Sequence, residues 1–321
     1  MIKNIPWSRP DIGQEERDAV QRVMESGWVT IGPETKRFED EIRIYLGCKH
    51  AVVVGSGSSA LLMALAAHDP EIVTIPSYAY HSTSDAAKLL GIEITYGPIE
   101  QKTIQLMPLQ TFGCALPISF AGLPLDAVEW TGKNLIEDAA ESFGAESRGV
   151  KTGAQGWTAI FSFHAAKTIT MVEGGAVVTD NDAIYEKLTD LRRTKFNFKP
   201  TDMSSAIGRV QLAKVGQYLR TRRNVSKIYH EKLENAAVGF QSTPRHVTSH
   251  ANMMFPIFVD NPAKVATSLK EMGIETRLGW VPPWRTAESI WVSEHILTLP
   301  IFNTMSIEEA EYVAECVKKS L

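Results

Sequence analysis

Lys167 is the residue whose setting points most directly to chemistry. It lies in Phe161-Ser162-Phe163-His164-Ala165-Ala166-Lys167-Thr168-Ile169-Thr170-Met171-Val172-Glu173-Gly174-Gly175-Ala176-Val177-Val178-Thr179, between an aromatic, strand-like run and a Gly-Gly that opens a second apolar strand. A solvated lysine usually sits among polar neighbours on a helix face. This one has Ala165-Ala166 before it and Ile169, Met171 and Val172 behind it. Such surroundings strip water from an ammonium, and a desolvated lysine becomes an amine suited to forming a Schiff base with a carbonyl.

The carbonyl group that most needs such an amine is pyridoxal 5'-phosphate, which also needs an acid against its pyridine nitrogen and a cup for its phosphate. Both are available upstream. Asn134-Leu135-Ile136-Glu137-Asp138 reads as a strand ending in a carboxylate, with Asp138 placed to hold a pyridinium proton. Val52-Val53-Val54-Gly55-Ser56-Gly57-Ser58-Ser59-Ala60 reads as a strand, a tight turn and a helix start, whose free N–H groups and the hydroxyls of Ser58 and Ser59 suit a phosphate. A plain serine N-cap has the same geometry. Gly55-x-Gly57-x-x-Ala60 also matches a dinucleotide fingerprint, but a nicotinamide dehydrogenase needs an acid at the end of the next strand. Ile72-Val73-Thr74-Ile75 ends instead in Pro76-Ser77-Tyr78.

The order Gly-Ser-Gly-Ser-Ser-Ala, Pro-Ser-Tyr-Ala-Tyr, Glu-Asp-Ala-Ala-Glu-Ser-Phe-Gly-Ala, Phe-Ser-Phe-His-Ala-Ala-Lys and Glu-Gly-Gly-Ala-Val-Val-Thr resembles the DegT-type nucleotide-sugar aminotransferases from Gly27-Trp28 to the C-terminal helix. The resemblance implies an α/β fold of the aspartate aminotransferase type (fold type I). It has a large domain with a mostly parallel, seven-stranded sheet flanked by helices, at residues 1–217, and a smaller C-terminal α/β domain at 218–321. By resemblance, Tyr80 stacks on the cofactor ring, Ser162 contacts its phosphate, and Asn197 reaches across a homodimer interface to the partner's cofactor phosphate. Glu141 stands where many family members carry Gln or His against the ring oxygen; two carboxylates in one pocket repel, so Glu141 is expected to be neutral or turned aside. Arg277 closes an echo of the family's Gly-Ile-x-Thr-Arg segment, after which many members have His-Tyr near the sugar and this chain has Gly279-Trp280; by resemblance Arg277 and Trp280 are candidate substrate contacts, and a surface arginine beside a packed tryptophan is the alternative.

Composition is compatible with this. A chain of 321 residues with 44% hydrophobic content can bury a sizeable core. Lys plus Arg of 33 against Asp plus Glu of 37 gives a net charge of -4, which asks for neither nucleic acid nor an anionic membrane. Cys48, Cys114 and Cys316 are odd in number and widely spaced, which predicts reduced buried thiols rather than disulfides or a zinc site. No stretch reaches about 18 uninterrupted apolar residues, and Met1-Ile2-Lys3-Asn4-Ile5-Pro6-Trp7 has no long apolar leader, so a cytoplasmic protein is expected.

Further elements must position these groups. Helices are expected over 11–26, 34–46 and 262–272, a long helical stretch over 203–234, and a last helix over 307–317 capped by Ser306 and Glu309. On the long stretch Arg220, Arg222 and Arg223 fall on a polar side. Trp28 is read either as near the active site or as the buried anchor of a turn. His164 is expected to pack with a hydrogen bond, on the opposite face from Phe163. The stretch 97–122 and the link 68–71 are read as shorter than in the family. The basic run Arg192, Arg193, Lys195, Lys199 is a solvated face or, with Asn197, part of the interface loop. The resemblance implies transamination, with L-glutamate as donor and a keto group of a nucleotide-linked deoxysugar as acceptor. Lysine rather than histidine at 167 separates it from the related sugar dehydratases. A pyridoxal-phosphate-binding sensor without turnover is the alternative.

Overall fold

The computed structural model describes residues 4–108, 111–194 and 197–321. Met1, Ile2 and Lys3, and Lys195 of the basic run, lie outside the described residues.

Three strands, β1 (His50–Val54), β2 (Ile72–Pro76) and β3 (Glu93–Gly97), open the chain's α/β part. They are followed by β4 (Cys114–Ala115), β5 (Ile136–Asp138), β6 (Thr158–Ser162) and β7 (Gly175–Thr179). The group β3-β2-β4 and the group β5-β6-β7-β1 meet through parallel bridges Ala115↔Leu135 and Ile118↔Asp138. Among the described residues this makes one sheet of seven in the order β3-β2-β4-β5-β6-β7-β1, with β7 the antiparallel member. The expected mostly parallel sheet is therefore present.

Alternation along the strands explains why they read as unbroken apolar runs. Val52, Val54, Ile160 and Val177 enter one core, while Val53, Phe161, Ala176 and Val178 enter another on the opposite face. Both faces are covered, so neither needs polar residues. Helix α1 (Gln14–Ser26) starts after the expected position, and α2 (Pro33–Leu46) buries Phe38, Ile42 and Leu46 at helical spacing. Helix α3 (Gly57–His68) is apolar nearly all round because it is enclosed; Ser56 caps it by accepting from Ser59 N at 3.1 Å. Helices α4 (His81–Leu89) and α5 (Asp182–Thr194) complete the layers.

The long stretch is a single helix, α6 (Asp202–Leu233). Its Leu212, Val215 and Leu219 pack in the core beneath the large sheet, and its Val225, Tyr229 and Leu233 in a third core. That core belongs to a four-stranded antiparallel sheet in the order β8 (Gly239–Phe240), β9 (Phe255–Phe258), β11 (Ile296–Leu299), β10 (Arg277–Leu278). Helices α7 (Pro262–Glu271), α8 (Ala287–His295) and α9 (Ile307–Ser320) accompany it, and the capping box of Ser306 and Glu309 is formed. Ile5 joins the same core and bridges to Ile274.

Two local expectations fail. Arg222 is 1% exposed instead of lying on a polar side, because α6 is covered on more than one face where it passes between cores. Trp28 is 58% exposed rather than a buried anchor; its indole donates to Ile31 O at 3.0 Å, and the turn is held by Asp202 instead. The Asp202 carboxylate accepts from the N–H groups of Gly32, Glu34 and Thr35 and from the Thr35 hydroxyl at 2.7–3.0 Å, so one acid ties the start of α6 to the start of α2. The three cysteines are buried and free, as expected.

Removing that tie leaves the buried Thr35 N–H and the part-buried N–H groups of Gly32 and Glu34 without their acceptor. Asp202→Ala is expected to lower unfolding stability by about 1–3 kcal/mol, read as a fall in the urea midpoint at unchanged slope.

Candidate active site

Parallel strands that end at one edge of a sheet deliver their following loops to one place. Here the loops after β1, β2, β5 and β6 converge on a cleft of ≈ 670 Å³, closed on the far side by β10 and the Gly279-Trp280 turn. That volume lies within the roughly 300–1,000 Å³ typical of ligand sites.

Lys167 stands in the β6–β7 loop with its side chain 18% exposed, and its Nζ lies 3.5 Å from the Glu141 carboxylate. The backbone there is fixed by Lys167 N donating to His164 O at 2.9 Å and Met171 N to Phe163 O at 2.9 Å. Gly174 and Gly175 have no room for a side chain: a Cβ would come within 2.5 Å of Met171 Sδ and of Ser56 O, respectively. Asp138 ends β5, buried, and its carboxylate accepts from Thr83 Oγ1 at 3.0 Å and Ala140 N at 3.2 Å. Burial pushes its carboxyl up to about 6, against the lowering pull of those donors and of Lys167. Its neighbour Glu137, on the other face of the strand, is pushed up to about 7 by burial and is held by Ser119 and by Trp157 Nε1.

The cradle at the start of α3 depends on Gly57, where a Cβ would sit 2.7 Å from that of Ser162. The first N–H groups of the helix have no helical acceptor. Ser58 faces the cleft with its hydroxyl on Ser82 Oγ at 3.1 Å, and Ser162 lines the same wall. Ser59 is not brought into the cleft, since both its N–H and its hydroxyl engage Ser56. Tyr80 is at the rim, 48% exposed, edge-on to Trp280. Trp280 stacks on the buried Tyr78 with ring centroids 5.5 Å apart, and its N–H donates to the Tyr78 hydroxyl at 3.0 Å. Arg277 lines the cleft too, its guanidinium over the Trp7 ring at 5.6 Å.

Two expectations need adjusting, those for Glu141 and His164. Glu141 is not turned aside: it faces Lys167, and its other oxygen accepts from Ala121 N at 2.8 Å. His164 does lie opposite the buried Phe163, but it is 51% exposed rather than packed, with Nδ1 accepting from Ala166 N and Nε2 3.6 Å from Glu173. Asn197 is exposed and lies outside the cleft, on a loop whose Phe198 carbonyl accepts from Gly55 N at 2.9 Å. The sequence reading missed Ser82, Thr83, Phe120, Met253 and Met254, which all line the cleft. The hydroxyl-rich His81-Ser82-Thr83-Ser84 after Tyr80 was the available signal for the first two; the others come from distant segments with none.

These residues fit pyridoxal 5'-phosphate: an amine in the cleft, a buried carboxylate lacking a full cationic partner on its wall, and a glycine-dependent cradle at a helix N-terminus. Among the described residues no group of His, Cys, Asp and Glu could hold a metal, and no helix is long and apolar enough to cross a membrane. The Gly55-x-Gly57 turn is not a dinucleotide site, because β1 and β2 are not neighbours in the sheet and the close approach that Gly57 allows is to Ser162.

A seven-stranded sheet of this order with a lysine in the loop after β6 and an aspartate at the end of β5 defines the aspartate aminotransferase type of pyridoxal phosphate enzyme. Within that class, the chain belongs to the DegT/DnrJ/EryC1/StrS aminotransferase family, whose model matches residues 10–113 and 125–318. The interruption, 114–124, falls at the end of the stretch read as departing from the family. The structure is similar to Helicobacter pylori PseC, an aminotransferase involved in the biosynthesis of pseudoaminic acid, at 22% identity and TM-score 0.91, covering 99% of each chain. It is similar to S. venezuelae DesV in complex with a ketimine intermediate at 25% identity and TM-score 0.89, covering 99% of this chain and 98% of that one. It also resembles E. coli GDP-4-keto-6-deoxy-D-mannose-3-dehydratase with bound hydrated PLP at 21% identity and TM-score 0.89, covering 99% of this chain and 100% of that one. The chain is thus an enzyme of the aminotransferase class with pyridoxal 5'-phosphate as cofactor.

A buried carboxylate with a raised folded pKa binds its proton more tightly in the folded chain than in the unfolded one. Its contribution to stability therefore falls as pH rises from about 4 to about 6. In cofactor-free protein, Asp138→Asn is expected to be more stable than wild type by about 3 kcal/mol near pH 8 and no more stable near pH 4, measured by urea unfolding at each pH.

Proposed function

We propose that this enzyme moves an amino group from L-glutamate to a keto group of a nucleotide-linked deoxysugar, as a cytoplasmic homodimer. The observation that carries the reading is the placement of Lys167 and Asp138 in one cleft with the Gly57–Ser58–Ser162 cradle. Pyridoxal phosphate, when bound, supplies an aldehyde and an electron-withdrawing ring that together stabilise negative charge on a substrate carbon. The chain's own residues do the rest. Lys167 Nζ would hold the aldehyde and would serve as the base that takes the proton from the donor's carbon and returns one on the acceptor side. Asp138 would hold the proton of the cofactor's ring nitrogen, and a cation there would relieve the cost of its burial. Thr83 and the Ala140 N–H keep that carboxylate aimed, and Glu141 is the counter-charge that orients the Lys167 amine.

Lysine at 167 favours amine transfer over the dehydration named for the E. coli neighbour. Aromatic walls from Tyr78, Tyr80 and Trp280, with Arg277 on the far wall, suit a sugar ring and an anionic nucleotide. The exposed Asn197, beside the Gly55 turn but outside the cleft, supports a role toward a second subunit.

Borohydride reduction of the yellow protein followed by peptide mapping is expected to place a pyridoxyl group on Lys167; an adduct on any other lysine would overturn the assignment. Lys167→Arg is expected to lower turnover by about 10²–10⁴-fold. Loss of a charge-assisted hydrogen bond of about 1.5–3 kcal/mol in Asp138→Asn corresponds to about 10- to 100-fold. Turnover is read as 2-oxoglutarate formed from L-glutamate with a panel of nucleotide-linked keto sugars. No bleaching of the visible band by any amino donor would favour a sensor instead.

A further inference from the structure

Arg222 has the chemistry of a charged residue and the surroundings of a core residue. It lies on α6, 1% exposed, and among the described residues no carboxylate pairs with it. Burial lowers its guanidinium to about 10, still charged at neutral pH. Its partners are neutral oxygens: Nε donates to Asn303 Oδ1 at 2.8 Å, and one terminal nitrogen donates to the carbonyls of Asn252, Met253 and Ile301 at 3.1, 2.9 and 3.2 Å. Burying an arginine on carbonyls alone is costly, which turns attention to what those oxygens hold.

Both sets of partners lead to the reactive pair. Asn303, itself 5% exposed, donates from Nδ2 to the carbonyl of Thr168 at 2.9 Å, the residue after Lys167. On the other side, Met253 N donates to Ala121 O at 3.1 Å, and Ala121 N donates to Glu141 at 2.8 Å. Ala121 is buried with φ of 58°, and the next residue, Gly122, would bring a Cβ within 2.9 Å of Asn252 N. The 252–253 segment and the 121–122 turn are therefore locked together. One path ends on the backbone of the lysine, the other on the carboxylate 3.5 Å from its Nζ.

We propose that Arg222 is a positioning residue, whose guanidinium, through Asn303 and through the 252–253 carbonyls, sets Lys167 against Glu141. A guanidinium suits the task because its planar fork carries five donors in fixed directions, which a lysine ammonium does not reproduce. The three segments it joins belong to α6, the chain leading into β9 and the turn after β11, so the smaller sheet is coupled to the amine. This inference rests on Lys167 being the reactive amine. Its test uses no cofactor, so it can fail while the pyridoxyl adduct still maps to Lys167.

The cofactor-free, full-length protein is labelled with limiting acetic anhydride near pH 8, and acetylation of the Lys167 peptide is quantified by mass spectrometry against that of the other lysines. Nζ held 3.5 Å from the Glu141 carboxylate has to leave that contact before it can attack the reagent. Loosening the contact in Arg222→Lys or Asn303→Ala is therefore expected to speed labelling of Lys167 about threefold or more, with other lysines unchanged and the far-UV spectrum folded. Glu141→Gln is expected to do the same, and Asn303→Ala combined with Glu141→Gln to go no faster than Glu141→Gln alone, since both act through one contact. A purely structural arginine predicts otherwise. Labelling of Lys167 at the wild-type rate in folded Asn303→Ala, or effects that multiply in the double variant, would overturn the proposal. Should Arg222→Lys not fold, Asn303→Ala, which leaves the guanidinium on its three carbonyls, decides alone.

Discussion

A carboxylate at the end of a buried parallel strand has to be answered by something, and Asp138 is the group to which the rest of the site responds. Two donors reach it, Thr83 and the Ala140 N–H, and they do not outweigh the loss of water. A cation placed on that wall would relieve this cost, so the burial that weakens the empty chain would strengthen its hold on a cationic ring. The strand partner β6 fixes where the other components can be: Ile160 is opposite Asp138, and Ser162 and the lysine loop follow within a few residues.

The sheet does most of the assembling. Because β7 runs antiparallel between β6 and β1, the loop carrying Lys167 turns back beside the Gly55–Gly57 turn, and the amine and the cradle come to the same edge. Glycines at 57, 174 and 175 permit the backbone approaches this requires, each at a place where a side chain would collide. The smaller sheet contributes the opposite wall through Arg277 and Trp280. Helix α6 belongs to both cores, and its buried arginine touches the segments on which the lysine and its counter-charge depend.

Much of the fold was legible because its signals are local. The apolar runs 51–54 and 175–179 read as strands, the spacing of Phe38, Ile42 and Leu46 marked a helix, and Ser306 with Glu309 marked a helix start. Where prediction failed, the missing information was nonlocal. Arg222 resembled its neighbours Arg220 and Arg223 by type, and only its covering by the 252–253 and 301–303 segments distinguishes it. Of the two readings open for Trp28, the buried anchor fails because the turn is fastened by Asp202, far along the chain.

For the site the same division holds. The reactive types, a lysine in an apolar loop, an aspartate closing a strand and a serine-rich helix start, are written in short stretches, because each needs only its own immediate neighbours to be recognised. Which way Glu141 faces, that Ser59 caps its helix while Ser58 meets the cleft, and that Met253 and Phe120 form walls depended on the packing of segments far apart in the chain. Hydrogen-bond donors and bulk arriving from elsewhere settle a side chain's direction, and a linear string carries no measure of them.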